Sequence, residues 1–143
     1  MKHLLLSTLL LASLTSYAQS SPAGSTPLVG TWTLTSKTIV VRPKNGGAST
    51  TYAQPVMPNA VKMSYDANGK YNVVFDKRVS GTGAAFTTSG TYAYKSDTIT
   101  YKANGKISTA RVDSLTSTFL KHVATIVDTS GGYVSVMTNT YTR

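Results

Sequence analysis

The sequence predicts an all-β protein, an antiparallel up-and-down barrel of about eight strands that follows an N-terminal export signal. Three observations support this prediction. The first residues form a short apolar run, the rest of the chain alternates apolar and polar residues between turn residues, and no apolar spacing of helical period exceeds two turns. A consecutive series of hairpins closes naturally into a barrel, because closure removes the exposed sheet edges.

The N-terminal segment, residues 1–18, has the features of a signal peptide. Lys2 supplies a positive start, residues 4–14 are mainly apolar, and Ser16-Tyr17-Ala18 is a small-x-small cleavage site before Gln19. The apolar run is too short for a membrane anchor. The alternative, an N-terminal helix of the folded domain, fits these flanks less well. Without a cysteine for acylation, we expect a secreted or periplasmic protein that is soluble after cleavage.

A polar linker and a single β-domain follow the signal. Residues 19–27 are rich in Pro, Gly and Ser and have no periodicity, so we place the domain at 28–143. The alternating runs lie at 31–41, 61–65, 71–75, 90–94, 98–101, 106–112, 118–127 and 133–141, with a weaker threonine-rich segment near 48–53.

Turn residues separate these runs. Asp66 to Gly69, Asn104-Gly105 and Gly131-Gly132 are typical hairpin connections, because Asn and Gly tolerate positive φ. Pro55 and Pro58 interrupt the pattern, since proline donates no ladder hydrogen bond. The segment around them is therefore predicted to be the least regular part of the domain.

The chain is strongly basic, with 14 Lys and Arg against 5 acidic residues and a net charge of +9. Loss of Lys2 with the signal leaves 13 against 5, or +8. Only Lys77 and Arg78 are adjacent among these cations. Singly spaced cations on strands indicate solvated faces and protected edges, and a surface for anionic partners is the alternative.

The supply of catalytic residues is small. His122 is the one histidine of the mature chain, Cys and Glu are absent, and no Gly-x-Ser-x-Gly motif occurs. Asp66, Asp97, Asp113 and Asp128 fall at or beside turns, where aspartate usually caps its own backbone. We therefore expect no enzymatic activity, no metal site and no cofactor.

Aromatic and apolar residues recur at alternating positions and predict the inner face of the barrel. They either pack as a core or line a cavity for a small, mostly apolar ligand, since such pockets combine apolar walls with a few polar groups. His122 shares a face with Leu120, Ala124 and Ile126, and is either a half-buried structural residue or a polar contact for the ligand. The candidate ligand-binding residues are Leu34, Met63, Tyr65, Val73, Phe75, Tyr92, Tyr94, Ile99, Tyr101 and His122.

Short motifs along the domain resemble the lipocalin and calycin barrels. Gly30-Thr31-Trp32 resembles their opening Gly-x-Trp motif, residues 90–94 and 97–101 resemble the middle hairpin of bacterial lipocalin-like domains, and Tyr141-Thr142-Arg143 is similar to their aromatic-x-Arg ending. The resemblance implies that Trp32 closes one end of the barrel. It also implies that Arg143 packs over the indole ring in a structural cation–π contact.

Three functions of different classes follow. The first is an exported protein that holds a small apolar ligand in its barrel. The second is a structural or interaction protein of the cell envelope, with a packed barrel and a basic surface for anionic partners. The third, an OB-like module for single-stranded nucleic acid, is disfavoured because it would have five strands and no export signal. We expect a monomer without nucleic-acid partners or a transmembrane segment.

Overall fold

The computed structural model describes residues 27–127 and 131–143 and contains only β-strands as regular elements. The predicted signal, 1–18, and the linker up to residue 26 lie outside the described residues. Within those residues there is no helix that could cross a membrane. The strands are β1 (Gly30–Pro43), β2 (Thr50–Gln54), β3 (Val61–Tyr65), β4 (Lys70–Phe75), β5 (Phe86–Lys95), β6 (Thr98–Ala103), β7 (Lys106–Leu115), β8 (Phe119–Val127) and β9 (Tyr133–Thr142).

Eight of these strands form a closed antiparallel barrel, which confirms the predicted fold class. The hydrogen-bonded order runs β1-β3-β4-β5-β6-β7-β8-β9, and β9 pairs back onto β1. The remaining strand, β2, is the weak threonine-rich segment of the sequence. It pairs only with the second half of β1, so it lies outside the closed ring.

Strand β1 changes its neighbour partway along its length. Gly30 to Thr33 pair with β3, and Lys37 to Val41 pair with β2. Between them, the register against β9 shifts at Thr35, which is a β-bulge. A bulge adds one residue to the strand and therefore reverses which side chains point inward beyond it. The irregular segment 55–60 spans the resulting gap between β2 and β3.

The hairpins have the backbone geometry that their residues predict. Asp66 Oδ1 accepts hydrogen bonds from the backbone N–H groups of Asn68 (2.9 Å) and Lys70 (2.8 Å), and Gly69 follows with φ of 76°. Ser96 and Asp97 both have positive φ, as a two-residue hairpin turn requires. These short connections pair β3 with β4 and β5 with β6.

The two ends of the barrel differ. At the closed end, where β1 begins and β9 finishes, Leu28 and Trp32 are fully buried, as are Ile99 and Leu120 deeper inside. At the open end, where β4 finishes and β5 begins, the rings of Phe75 and Phe86 stack with centroids 4.4 Å apart. Phe86 is nevertheless 45% exposed, so this end is not sealed by packed side chains.

Candidate functional site: a cavity at the open end of the barrel

A cavity of about 410 Å³ extends from the middle of the barrel to its open end. This volume is within the range of about 300–1,000 Å³ that is typical of small-molecule pockets. Most of its wall is aliphatic or thioether surface, and its polar groups are few. The lining residues are Leu34, Lys37, Gln54, Pro55, Val56, Met57, Ala60, Val61, Met63, Val73, Phe75, Val79, Met137, Asn139 and Tyr141.

The irregular segment 55–60 supplies one wall of this cavity. Proline at 55 and 58 keeps the segment out of the sheet, so its Val56 and Met57 line the cavity instead of pairing in a strand. The segment is anchored by hydrogen bonds, from Asp76 N to Ala60 O at 2.8 Å and from Ala60 N to Met57 O at 3.2 Å. Hydrogen bonds therefore hold this wall at its β3 end, whereas at its β2 end Pro55 ends the strand pairing.

The β4–β5 loop holds the same segment from outside. The Arg78 guanidinium donates to Asp76 Oδ1 at 2.8 Å and to Pro58 O at 3.3 Å. The hydrogen bond from Arg78 lowers the pKa of the exposed Asp76 carboxyl. The carboxylate thereby orients Arg78 toward the backbone of the wall segment.

A row of polar residues crosses another part of the cavity wall. Register pairs Gln54 with Lys37, Lys37 with Asn139, and Asn139 with His122, across β2, β1, β9 and β8. Directly opposed residues project their side chains to the same face, so these four are neighbours. Lys37 points inward because the bulge at Thr35 has shifted the alternation set by Trp32 and Leu34.

His122 is buried and neutral in this row. Its Nε2 lies 3.2 Å from Tyr141 Oη and 3.3 Å from Asn139 Nδ2. The other ring nitrogen, Nδ1, has no hydrogen-bond partner in the described part of the chain. Desolvation lowers the pKa of His122 to about 4.

Tyrosines form the floor that separates the cavity from the closed end. Tyr65 Oη is 2.5 Å from Tyr101 Oη, which in turn is 4.0 Å from Met63 Sδ on the cavity wall. Tyr92 Oη donates to the backbone oxygen of Asp66 at 2.7 Å. Desolvation raises the pKa of Tyr65 and Tyr101 above the ordinary value of a phenol. The floor is thus neutral and internally hydrogen-bonded.

The ten predicted ligand-binding residues all belong to the inward-facing register, but the structure divides them. Four of them, Leu34, Met63, Val73 and Phe75, line the cavity. Tyr65, Tyr92, Ile99 and Tyr101 pack in or against the core beneath it. Tyr94 lines a smaller depression near residues 112–115, with its hydroxyl on Asp97, and His122 lies behind Asn139 and Tyr141.

Sequence reasoning missed several lining residues. Lys37 belongs to the cations interpreted as solvated, and simple alternation from Trp32 through Leu34 would place it outside. Asn139, Tyr141 and Met137 occupy inward positions of β9. None of them is among the candidates, which were chosen mainly from the tyrosine-rich middle strands. The period-two pattern of residues 133–141 could have identified these three, whereas the bulge that turns Lys37 inward has no clear sequence signal.

The closed end has the contact that the resemblance implied between Trp32 and Arg143. The guanidinium carbon of Arg143 lies 3.9 Å from the centroid of the Trp32 ring, and Arg143 also donates to Pro27 O. Trp32 Nε1 donates to Leu28 O at 2.8 Å. Gly30 has φ of +134°, and a Cβ there would lie 3.1 Å from Arg143 Cζ. Glycine in the Gly-x-Trp motif therefore leaves room for the guanidinium.

The wall of the cavity is poor in charged side chains. Among residues 27–127 and 131–143, no group of three or more His, Cys, Asp or Glu side chains could hold a metal ion. The cavity wall itself contains one basic residue, Lys37, and no acidic one. The arrangement provides an apolar space with polar groups along one side.

Comparisons with known proteins point to one family. The family described as "Lipocalin-like domain" matches residues 28–122. A search of curated proteins gave no match.

Three solved structures are similar, each with a TM-score of 0.46. A lipocalin-like protein from Bacteroides uniformis is 16% identical, over 78% of this chain and 97% of that one. An uncharacterized protein from Bacteroides eggerthii is 14% identical, over 78% and 98%. A deswapped triple mutant of bovine odorant binding protein is 17% identical, over 82% and 74%.

Proposed function

Because this chain belongs to the lipocalin-like domain family, we propose that it binds a small, mostly apolar molecule in the cavity at the open end of its barrel. Barrels of eight strands are just wide enough to be filled by side chains or to hold one small ligand. The closed half of this barrel is filled, and the open half is not. The observation that carries the proposal is the cavity of about 410 Å³ with a largely apolar wall.

The apolar wall also provides the driving force for binding. Transfer of apolar surface from water into such a cavity contributes roughly 25 cal/mol per Å². Met57, Met63 and Met137 contribute flexible thioethers, which adapt to ligands of different shape. We therefore propose selection by size and apolarity, in which the polar row on one side orients the ligand.

The proposal includes export and a non-enzymatic role. The predicted signal peptide would deliver the mature chain to the periplasm or the extracellular space, where a carrier for a poorly soluble molecule is useful. A neutral histidine beside two polar neighbours, and the positions of Asp66 and Asp97 in hairpin turns, favour binding over catalysis. The alternative of a packed envelope protein is less well supported, because its barrel would be filled at both ends.

A fluorescence titration tests the proposal. The full chain is titrated with N-phenyl-1-naphthylamine, a neutral apolar fluorophore, and the variant Val73→Phe is compared with Val74→Phe. Val73 lines the cavity, whereas its neighbour Val74 is 40% exposed and belongs to the outer face of the same strand. The added ring fills the cavity in the first variant only, so we expect affinity to fall by more than about tenfold for Val73→Phe and to be unchanged for Val74→Phe.

Thermal unfolding of both variants supplies the control for folding. A cooperative transition in Val73→Phe together with lost binding supports the proposal. No enhancement with the unsubstituted chain, or equal binding by all three proteins, would refute it.

A further inference from the structure

The cavity contains a positive charge as well as an apolar wall, and this charge bears on which ligand it binds. Lys37 is the one charged residue among the lining residues, and the described ion pairs, Arg78–Asp76 and Arg111–Asp113, do not include it. Its cross-strand neighbours on either side are the amides Gln54 and Asn139. An ammonium group flanked by amide donors, without a carboxylate beside it, is complementary to an anion.

The polar groups are also arranged along one side only. Gln54, Lys37 and Asn139 occupy one cross-strand row, and the wall segment 55–60 with β3 and β4 presents apolar side chains to the rest of the cavity. Asn139 is only 9% exposed, so its amide lies within the interior and not at the rim. A ligand that satisfies both parts of the wall needs a polar head and an apolar body.

His122 fixes the inner end of this row. Its Nε2 lies within hydrogen-bond distance of Asn139 Nδ2 and Tyr141 Oη, so the three side chains form one buried cluster. Because the imidazole is neutral, Lys37 supplies the positive charge of the row by itself. The net charge of +9 on the whole chain favours the approach of anions further.

From this geometry we infer that the ligand is a small amphiphile with an anionic head group, which Lys37 binds together with the amides of Gln54 and Asn139 while the apolar body contacts segment 55–60, β3 and β4. The inference rests on the proposed function and makes it more specific, because it adds a charge to the ligand. It also assigns to Lys37 the discrimination between anionic, neutral and cationic amphiphiles.

Three probes of equal chain length test the inference: decanoate, decanol and decylammonium, each titrated as a competitor of the bound fluorophore at neutral pH. We expect decanoate to bind about tenfold more tightly than decanol, because a hydrogen bond to a charged group contributes about that factor, and decylammonium to bind most weakly.

The variant Lys37→Met should remove the preference for decanoate and leave decanol within about twofold of its original affinity. Lys62→Met is the matched control, because Lys62 is exposed on β3 and its loss changes the net charge equally. Lys37→Glu should reverse the order, so that decylammonium binds better than decanoate.

The outcomes distinguish failure of the anionic head group from failure of the apolar cavity. If decanol binds as tightly as decanoate, or if Lys37→Met affects decanoate no more than Lys62→Met does, the anionic head group is refuted while the apolar cavity stands. If none of the three probes displaces the fluorophore, and the fluorophore itself does not bind, the proposed function fails and this inference fails with it.

Discussion

The closed and open halves of this barrel are built from the same strands, but one half is filled by side chains and the other contains a cavity. In the closed half, large side chains fill the interior, Leu28 and Trp32 are fully buried, and Arg143 stacks on the Trp32 ring. In the open half, Val, Leu and Met side chains leave about 410 Å³ between them. A strand can therefore be structural at one end and functional at the other, with side-chain volume making the difference.

The largest expected effect is on stability at the closed end. Trp32→Ala should lower the free energy of unfolding by about 3–5 kcal/mol, because it removes a fully buried ring and leaves a void. Met137→Ala, on the partly exposed wall of an existing cavity, should cost only about 1 kcal/mol. Urea unfolding monitored by circular dichroism measures both, and equal losses would contradict the difference between the halves.

Acid should destabilise the protein through His122. Its pKa is lowered to about 4 in the folded chain, whereas the unfolded side chain titrates near 6.5. The unfolded state therefore binds the proton first, and stability present above about pH 6.5 is lost as pH falls through about 4, by about 3 kcal/mol.

His122→Gln isolates this contribution, because glutamine does not titrate and can still accept a hydrogen bond. The stability difference between the original protein and this variant is measured at several pH values between 7 and 4 by urea unfolding. A difference that does not change with pH would show that His122 is not the acid-sensitive group.

The smallest expected effect concerns the stacking of Arg143 on Trp32. Arg143→Ala should lower the free energy of unfolding by about 1 kcal/mol, the usual size of a cation–π contact at a partly exposed site. Arg42→Ala, an exposed position on β1, should change it by less than about 0.5 kcal/mol. Thermal unfolding of the two variants measures both changes. Equal effects of Arg143→Ala and Arg42→Ala would mean that the guanidinium does not stabilise the closed end.

Most of the fold could be predicted from local sequence signals. The turns at Asp66 and at Asn104 fix consecutive antiparallel pairing, and alternation identifies the inner face of the closed-half strands except β7, where the register shifts between Val112 and Ser114. The motif from Gly30 to Trp32 and the final Arg143 indicated how one end is closed. These signals work because each depends on residues close together in sequence or on a regular period of two.

The site was less predictable because two irregularities create it. The bulge at Thr35 reverses the alternation of β1 and brings Lys37 inside, although a continuous pattern would leave it in solvent. The segment around Pro55 and Pro58 was recognised as irregular, but its position over the barrel depends on the tertiary path between β2 and β3. A break in the alternating pattern marks an irregular segment, but it does not show where the chain goes next or which side chains then point inward.

Methyl-labelled NMR of the full chain, titrated with decanol, tests whether the open half binds a ligand, because it observes both halves in one experiment. We expect saturable shifts for the methyl groups of Leu34, Met63, Val73 and Met137 on the cavity wall. We expect no shift for Ile99 and Leu120 in the packed interior. Shifts confined to outer-face residues such as Val74, or no saturable shift at all, would contradict a ligand cavity at the open end.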